Sequence, residues 1–165
     1  MSSPAKPATP ATPATPATPA TSTKPSAPPM AAAALQALLQ GDTFAGHVHA
    51  LGLRVTGSDD GTVSLALPVT PALVHGGGVV CGQALMAAAD SAMVLAISAL
   101  LGGFRPMTTV QLQTSFLRPI AGTESEVRLV ARVLRAGKNL VFGEIEILDS
   151  AGRLAAHSTT TYALL

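Results

Sequence analysis

The chain has 165 residues, enough for one domain of ordinary size, with 48% hydrophobic but only 3% aromatic content and a formal net charge of +1. Lys6 and Lys24 lie in the first thirty residues and the other eight basic residues face nine acidic ones, so no basic field points to nucleic acid. A single cysteine excludes an intrachain disulfide framework and fits a reducing, cytoplasmic setting.

Residues 1–29 carry Ala-Thr-Pro repeats from Ala8-Thr9-Pro10 to Ala17-Thr18-Pro19. Proline at every third position removes backbone donors and nothing large is available to bury, so an extended, disordered tail is expected, with the folded domain over residues 30–165. Ala31 to Gln40 predicts a short helix with Leu35, Leu38 and Leu39 as its apolar stripe and Gly41 as its stop. Leu51, Leu53 and Val55 then alternate as a strand, Ser58-Asp59-Asp60-Gly61 turns, and Val63, Leu65 and Leu67 alternate on the return.

A glycine-containing loop leads into the most apolar part of the chain, Gly82 to Leu101, which predicts one long helix covered on nearly every side. One acid, Asp90, interrupts it. A bilayer of about 30 Å could be crossed by such a run at about 1.5 Å per residue, but Asp90 at mid-span costs on the order of 3 kcal/mol and no basic flank follows. No membrane span is therefore expected. An ionised carboxylate among apolar neighbours is costly unless paired, which makes Asp90 the first candidate for chemistry.

Four strands follow: Thr108 to Leu117, Glu124 to Arg135, Leu140 to Leu148 and Arg153 to Leu164, with turns at Ala136-Gly137-Lys138-Asn139 and Asp149 to Gly152. In the first, Val110, Leu112 and Phe116 fall on one face and Thr109, Gln111, Gln113 and Ser115 on the other. The fold class is α+β, one curved antiparallel sheet wrapped around a long central helix. A small sheet leaves one side of that helix open.

From about Leu51 onward the chain resembles the hotdog-fold acyl-CoA thioesterases of the PaaI-like, phenylacetate-degradation type. The likeness is carried by Ala88-Ala89-Asp90-Ser91-Ala92, which matches the family's Leu-Ala-Asp-x-Ala-like run, and by Thr109-Val110-Gln111-Leu112 and Phe116-Leu117-Arg118-Pro119, which match its third-strand motif. Nine residues before Asp90, where the family has His-Gly-Gly, this chain has Cys81-Gly82-Gln83; six residues earlier, where the family often has Asn, it has His75. His75-Gly76-Gly77 looks like the motif itself but lies fifteen residues before Asp90.

The resemblance implies hydrolysis of acyl-CoA thioesters, no cofactor, and a homodimer or a dimer of dimers. Gly82 opens the helix, where free N–H groups and the dipole favour a developing oxyanion, although a plain entry turn would also use glycine. Asp90 lies eight residues on, about 12 Å along the axis at about 1.5 Å per residue, so the two cannot act on one carbonyl within one chain. Two antiparallel helices would bring Asp90 of one subunit opposite Gly82 of the other. Burial should raise the pKa of Asp90 and suit it to general-base or nucleophilic work; a structural acid at the interface is the bland alternative.

By resemblance, Thr109 holds the attacking water, and Gln83, Arg118, Arg135 and Lys138 bind substrate, the cations through coenzyme A phosphates; a plain strand threonine and solvated charges explain them as well. Cys81 and His75 could form a thiol–imidazole pair, or Cys81 could simply line the pocket. His47 and His49, alternating on a strand, do not make a metal site. Two rival functions remain: a non-catalytic acyl-CoA-binding module, and an enoyl-CoA hydratase whose Asp and His dyad is not found here.

Overall fold

The computed structural model describes residues 30–59 and 61–165, so the expected tail of residues 1–29 and Asp60 of the first turn lie outside the described residues. Its elements are α1 (Ala32–Gln40), α2 (Gly46–His49), β1 (Arg54–Asp59), β2 (Thr62–Pro68), α3 (Gly82–Leu101), β3 (Met107–Phe116), β4 (Glu126–Ala136), β5 (Leu140–Leu148) and β6 (Leu154–Leu164), with a short 3-10 turn at Pro71–Leu73. The six strands make one antiparallel sheet in the order β1-β2-β4-β5-β6-β3, curved around α3. This is the hotdog arrangement.

The helix is central because its sequence leaves it no alternative. Ala84, Leu85, Ala88, Ala89, Met93, Leu95, Ala96 and Ile97 are all buried, packed mainly against β2, β4 and β5. Each large apolar side chain buried in this way contributes roughly 1.5–3 kcal/mol. The alanines let the sheet approach, and Gly143 on β5 lets it come closest: a Cβ there would lie 2.4 Å from Cε of Met93. By length and composition α3 could cross a membrane, yet 67% of its most apolar stretch is buried within the protein. Its end is set by Gly102 in the left-handed region at φ 73, a conformation that glycine adopts without cost, with its N–H bonded back to the last turn.

Among the described residues, one stripe of α3 escapes cover. Gln83 and Met86 are exposed, and Ala87, Asp90, Val94 and Leu101 are half-buried; these positions recur at three, four and seven residues, the repeat of a single helix face.

The two edges of the sheet differ. Along β1 the chain is guarded by α1: the Val55 N–H donates to Gln36 Oε1 at 2.7 Å, and Ser58 Oγ donates to the Met30 carbonyl at 2.9 Å. At the opposite edge β3 carries no such cover among the described residues, and Val110 and Phe116 are 61% and 52% exposed.

Three local expectations change. The expected strand at Leu51 begins only at Arg54; Leu51 and Leu53 are buried as core anchors without joining the sheet. His47 and His49 lie not on a strand but in the four-residue helix α2, which seats Val48 in the core. In β3, a register shift between Thr109 and Gln111 leaves Val110 unpaired and breaks the expected alternation. Thr109 pairs with Tyr162 and Leu112 with Thr160, two residues apart on β6, so Thr109 and Leu112 share a face rather than opposing each other.

Candidate active site

The bulge in β3 matters because of what Thr109 then reaches. Its Oγ1 donates to Oδ1 of Asp90 at 3.0 Å, and the Tyr162 hydroxyl donates to the same Oδ1 while lying 3.0 Å from the Asp90 main-chain oxygen. Asp90 is half-buried on the open stripe of α3, and the acid that interrupts the apolar run is satisfied by two hydroxyls from two strands. Tyr162 is 1% exposed. Its burial first, then the charge of Asp90 and the hydrogen bond to it, push the phenol far above its ordinary value, which keeps it a neutral donor.

The second part of the site is the start of α3. Cys81 occupies the N-cap position and among the described residues no side chain caps the helix, which leaves the N–H groups of Gly82 and Gln83, without an intrahelical acceptor, uncapped. Gly82 lies beside a groove of about 360 Å³ lined also by Val80, Leu85, Phe116, Arg118 and Ile120 among others. The approach is tight: a Cβ on residue 82 would lie 3.0 Å from Cζ of Phe116, so the ring would have to give way by a few tenths of an ångström.

The sequence candidates divide accordingly. Asp90 and Thr109 are brought together; Gly82 and Arg118 line one groove; Gln83 is exposed on the first turn of α3. Cys81 is half-buried, its N–H bonded to the Leu73 carbonyl at 2.8 Å. His75 is exposed in the preceding loop, with Nδ1 accepting the Gly77 N–H at 2.9 Å, and among the described residues no hydrogen bond joins it to Cys81. Arg135 and Lys138 are exposed at the β4–β5 hairpin and do not line the groove. That hairpin lies at the other end of the sheet: Leu140 and Thr108 both pair with Ala163, next to Tyr162.

Sequence reasoning missed two residues. Tyr162 is the only tyrosine of the chain, and in a sequence so poor in aromatics that alone was a usable signal. Phe116 was noted for its motif, but its contact with Gly82 depends on how β3 crosses α3.

Residues 77–156 match the thioesterase superfamily. TV1331 of Thermoplasma volcanium, a protein provisionally named an esterase, is 33% identical over 113 residues, which span 64% of this chain and 77% of that one. The chain belongs to the thioesterase superfamily. This PaaI-like hotdog thioesterase, a thioester hydrolase by family, is also similar to the conserved protein PA5202 of Pseudomonas aeruginosa, at 33% identity and a TM-score of 0.68 over 74% of this chain and 95% of that one. A likeness of fold extends to the PaaI protein of the Escherichia coli phenylacetic acid degradation operon, at 23% identity and a TM-score of 0.68 over 78% and 88% of the two chains.

Proposed function

We propose that this thioesterase hydrolyses acyl-CoA thioesters in sites built from two subunits. The Gly82 N–H of one receives the developing oxyanion, and Asp90 of the other acts as general base towards water or as nucleophile. The observation that carries this reading is the split along α3. A carboxylate gripped by two hydroxyls and an uncapped helix start beside an apolar groove are eight residues, about 12 Å, apart on one helix. Neither half can do the other's work within one chain.

Pairing through the uncovered β3 edge supports the same reading. Two copies related by a two-fold axis near the middle of β3 would extend the sheet antiparallel and set the open stripes of the two α3 helices against each other. The Thr109 end of one strand then lies beside the Phe116 end of the other. Arg118 of the subunit that supplies Gly82 and Arg135 and Lys138 of the subunit that supplies Asp90 would approach one site, a reasonable cradle for coenzyme A phosphates. The assembly is a homodimer or two such dimers. The groove, apolar apart from Arg118, suits the acyl or pantetheine portion of the substrate.

At the oxyanion position a carbonyl oxygen accepts from the Gly82 N–H, and the positive end of α3 favours its developing charge. Asp90 removes a proton from water as the water oxygen adds to the carbonyl carbon, and the C–S bond then breaks to release the coenzyme A thiol; or the carboxylate itself adds and expels the coenzyme A thiolate to give a mixed anhydride that water then hydrolyses. A thiol mechanism has less support, since His75 engages its own loop rather than Cys81. Release of free thiol from a panel of acyl-CoAs tests the function: turnover on at least one member is expected, and inactivity across short, long and aromatic acyl groups would contradict it.

A further inference from the structure

The contacts of Asp90 are unequal between its two oxygens. Both hydroxyl donors, from Thr109 on β3 and from Tyr162 on β6, converge on Oδ1, and among the described residues none donates to Oδ2. No charged side chain is paired with Asp90 either; the ion pairs of the described residues all lie elsewhere. The Tyr162 hydroxyl also lies 3.0 Å from the Asp90 main-chain oxygen, so one buried group touches the acid at both its backbone and its side chain. The ring is held by the sheet, between Val141 on β5 and Thr109 on β3 in register. Two donors fixed by two strands define the plane of a carboxylate that would otherwise rotate about its last bond.

We infer that Tyr162 is a positioning residue for the reaction: with Thr109 it locks Oδ1 of Asp90 and leaves Oδ2 as the oxygen that meets water or the thioester. This rests on the proposed role of Asp90. It gives Thr109 a different task from holding water, because its proton is already directed at the carboxylate. The roles separate by element, with α3 supplying the reacting atom and β3 and β6 supplying its orientation.

The chain has one tyrosine and no tryptophan, so tyrosine spectroscopy and tyrosine labelling both report on Tyr162 alone. The test compares wild type, Tyr162→Phe, Asp90→Asn and protein grown with 3-fluorotyrosine, whose phenol is more acidic but of nearly the same size. Tyr162→Phe is expected to lower kcat by up to about 10²-fold, the scale of a misplaced reacting group, with KM nearly unchanged. The acid limb of its kcat profile should move to higher pH, since a carboxylate that loses a donor is protonated more readily; the fluorinated protein should move it the other way. The tyrosine absorption band should shift in Asp90→Asn. If Tyr162→Phe does not fold, the fluorinated protein carries the test alone. An acid limb that stays put in the folded proteins, with Asp90→Asn inactive, overturns the positioning role and leaves Asp90 as the reacting acid. A fully active Asp90→Asn overturns the role of Asp90 itself.

Discussion

The two ends of the open face of α3 are built on opposite plans. Around Asp90 the surroundings are crowded and specific, with two hydroxyls from separate strands fixed on one oxygen. Around Gly82 they are made by omission: among the described residues no side-chain cap, no side chain of its own, and an aromatic ring 3.0 Å from where a Cβ would stand. A reacting side chain needs orientation, whereas a backbone donor already rigid in a helix needs only access. The contrast teaches which substitutions should be severe and why.

The largest effect is expected at the crowded end. Asp90→Asn should keep the fold, seen by circular dichroism, and lose roughly 10² to 10⁴ in turnover by thiol release, the range of general acid–base catalysis. At the open end, Gly82→Pro should cost roughly 10² to 10³, the usual loss of one oxyanion donor. Proline is acceptable at the first helical position, and Cys81 at φ −61 and ψ 135 already has the extended backbone that a following proline demands, so the fold should survive once the Phe116 ring gives way.

A control away from both ends sharpens the comparison. Gly143→Ala drives a methyl into Met93 and should destabilise by about 1–3 kcal/mol in denaturant melts, with turnover of the folded fraction little altered. Smallest of all should be Cys81→Ala, which removes no group that caps or reacts and should change turnover by no more than a few-fold. An inactive Cys81→Ala beside a normal Asp90→Asn would transfer the chemistry from the carboxylate to the thiol.

The crowded end was only half legible in the sequence. Asp90 stood out because a lone acid in a twenty-residue apolar run is costly unless paired, and Gly82 because it opens that run. Thr109 entered by motif, but strict alternation assigned it to the wrong face relative to Leu112; one unpaired residue, Val110, reverses the count, and nothing local in Thr109-Val110-Gln111 announces it. Tyr162 is seventy-two residues from Asp90, and only the pairing of β6 with β3 brings it there. The long helix and the hairpins were readable because periodicity and turn residues act locally. Helix α2 was not, since four residues are too few to show a period.

The central claim is that each site takes its acid from one subunit and its oxyanion donor from the other. Mixing Asp90→Asn with Gly82→Pro, each nearly inactive alone, tests it most directly, because at equal ratio half of the dimers are mixed and one of their two sites has both groups intact. Recovery of about one quarter of wild-type turnover is the predicted result. Two folded variants that demonstrably exchange subunits and recover nothing would contradict the composite site.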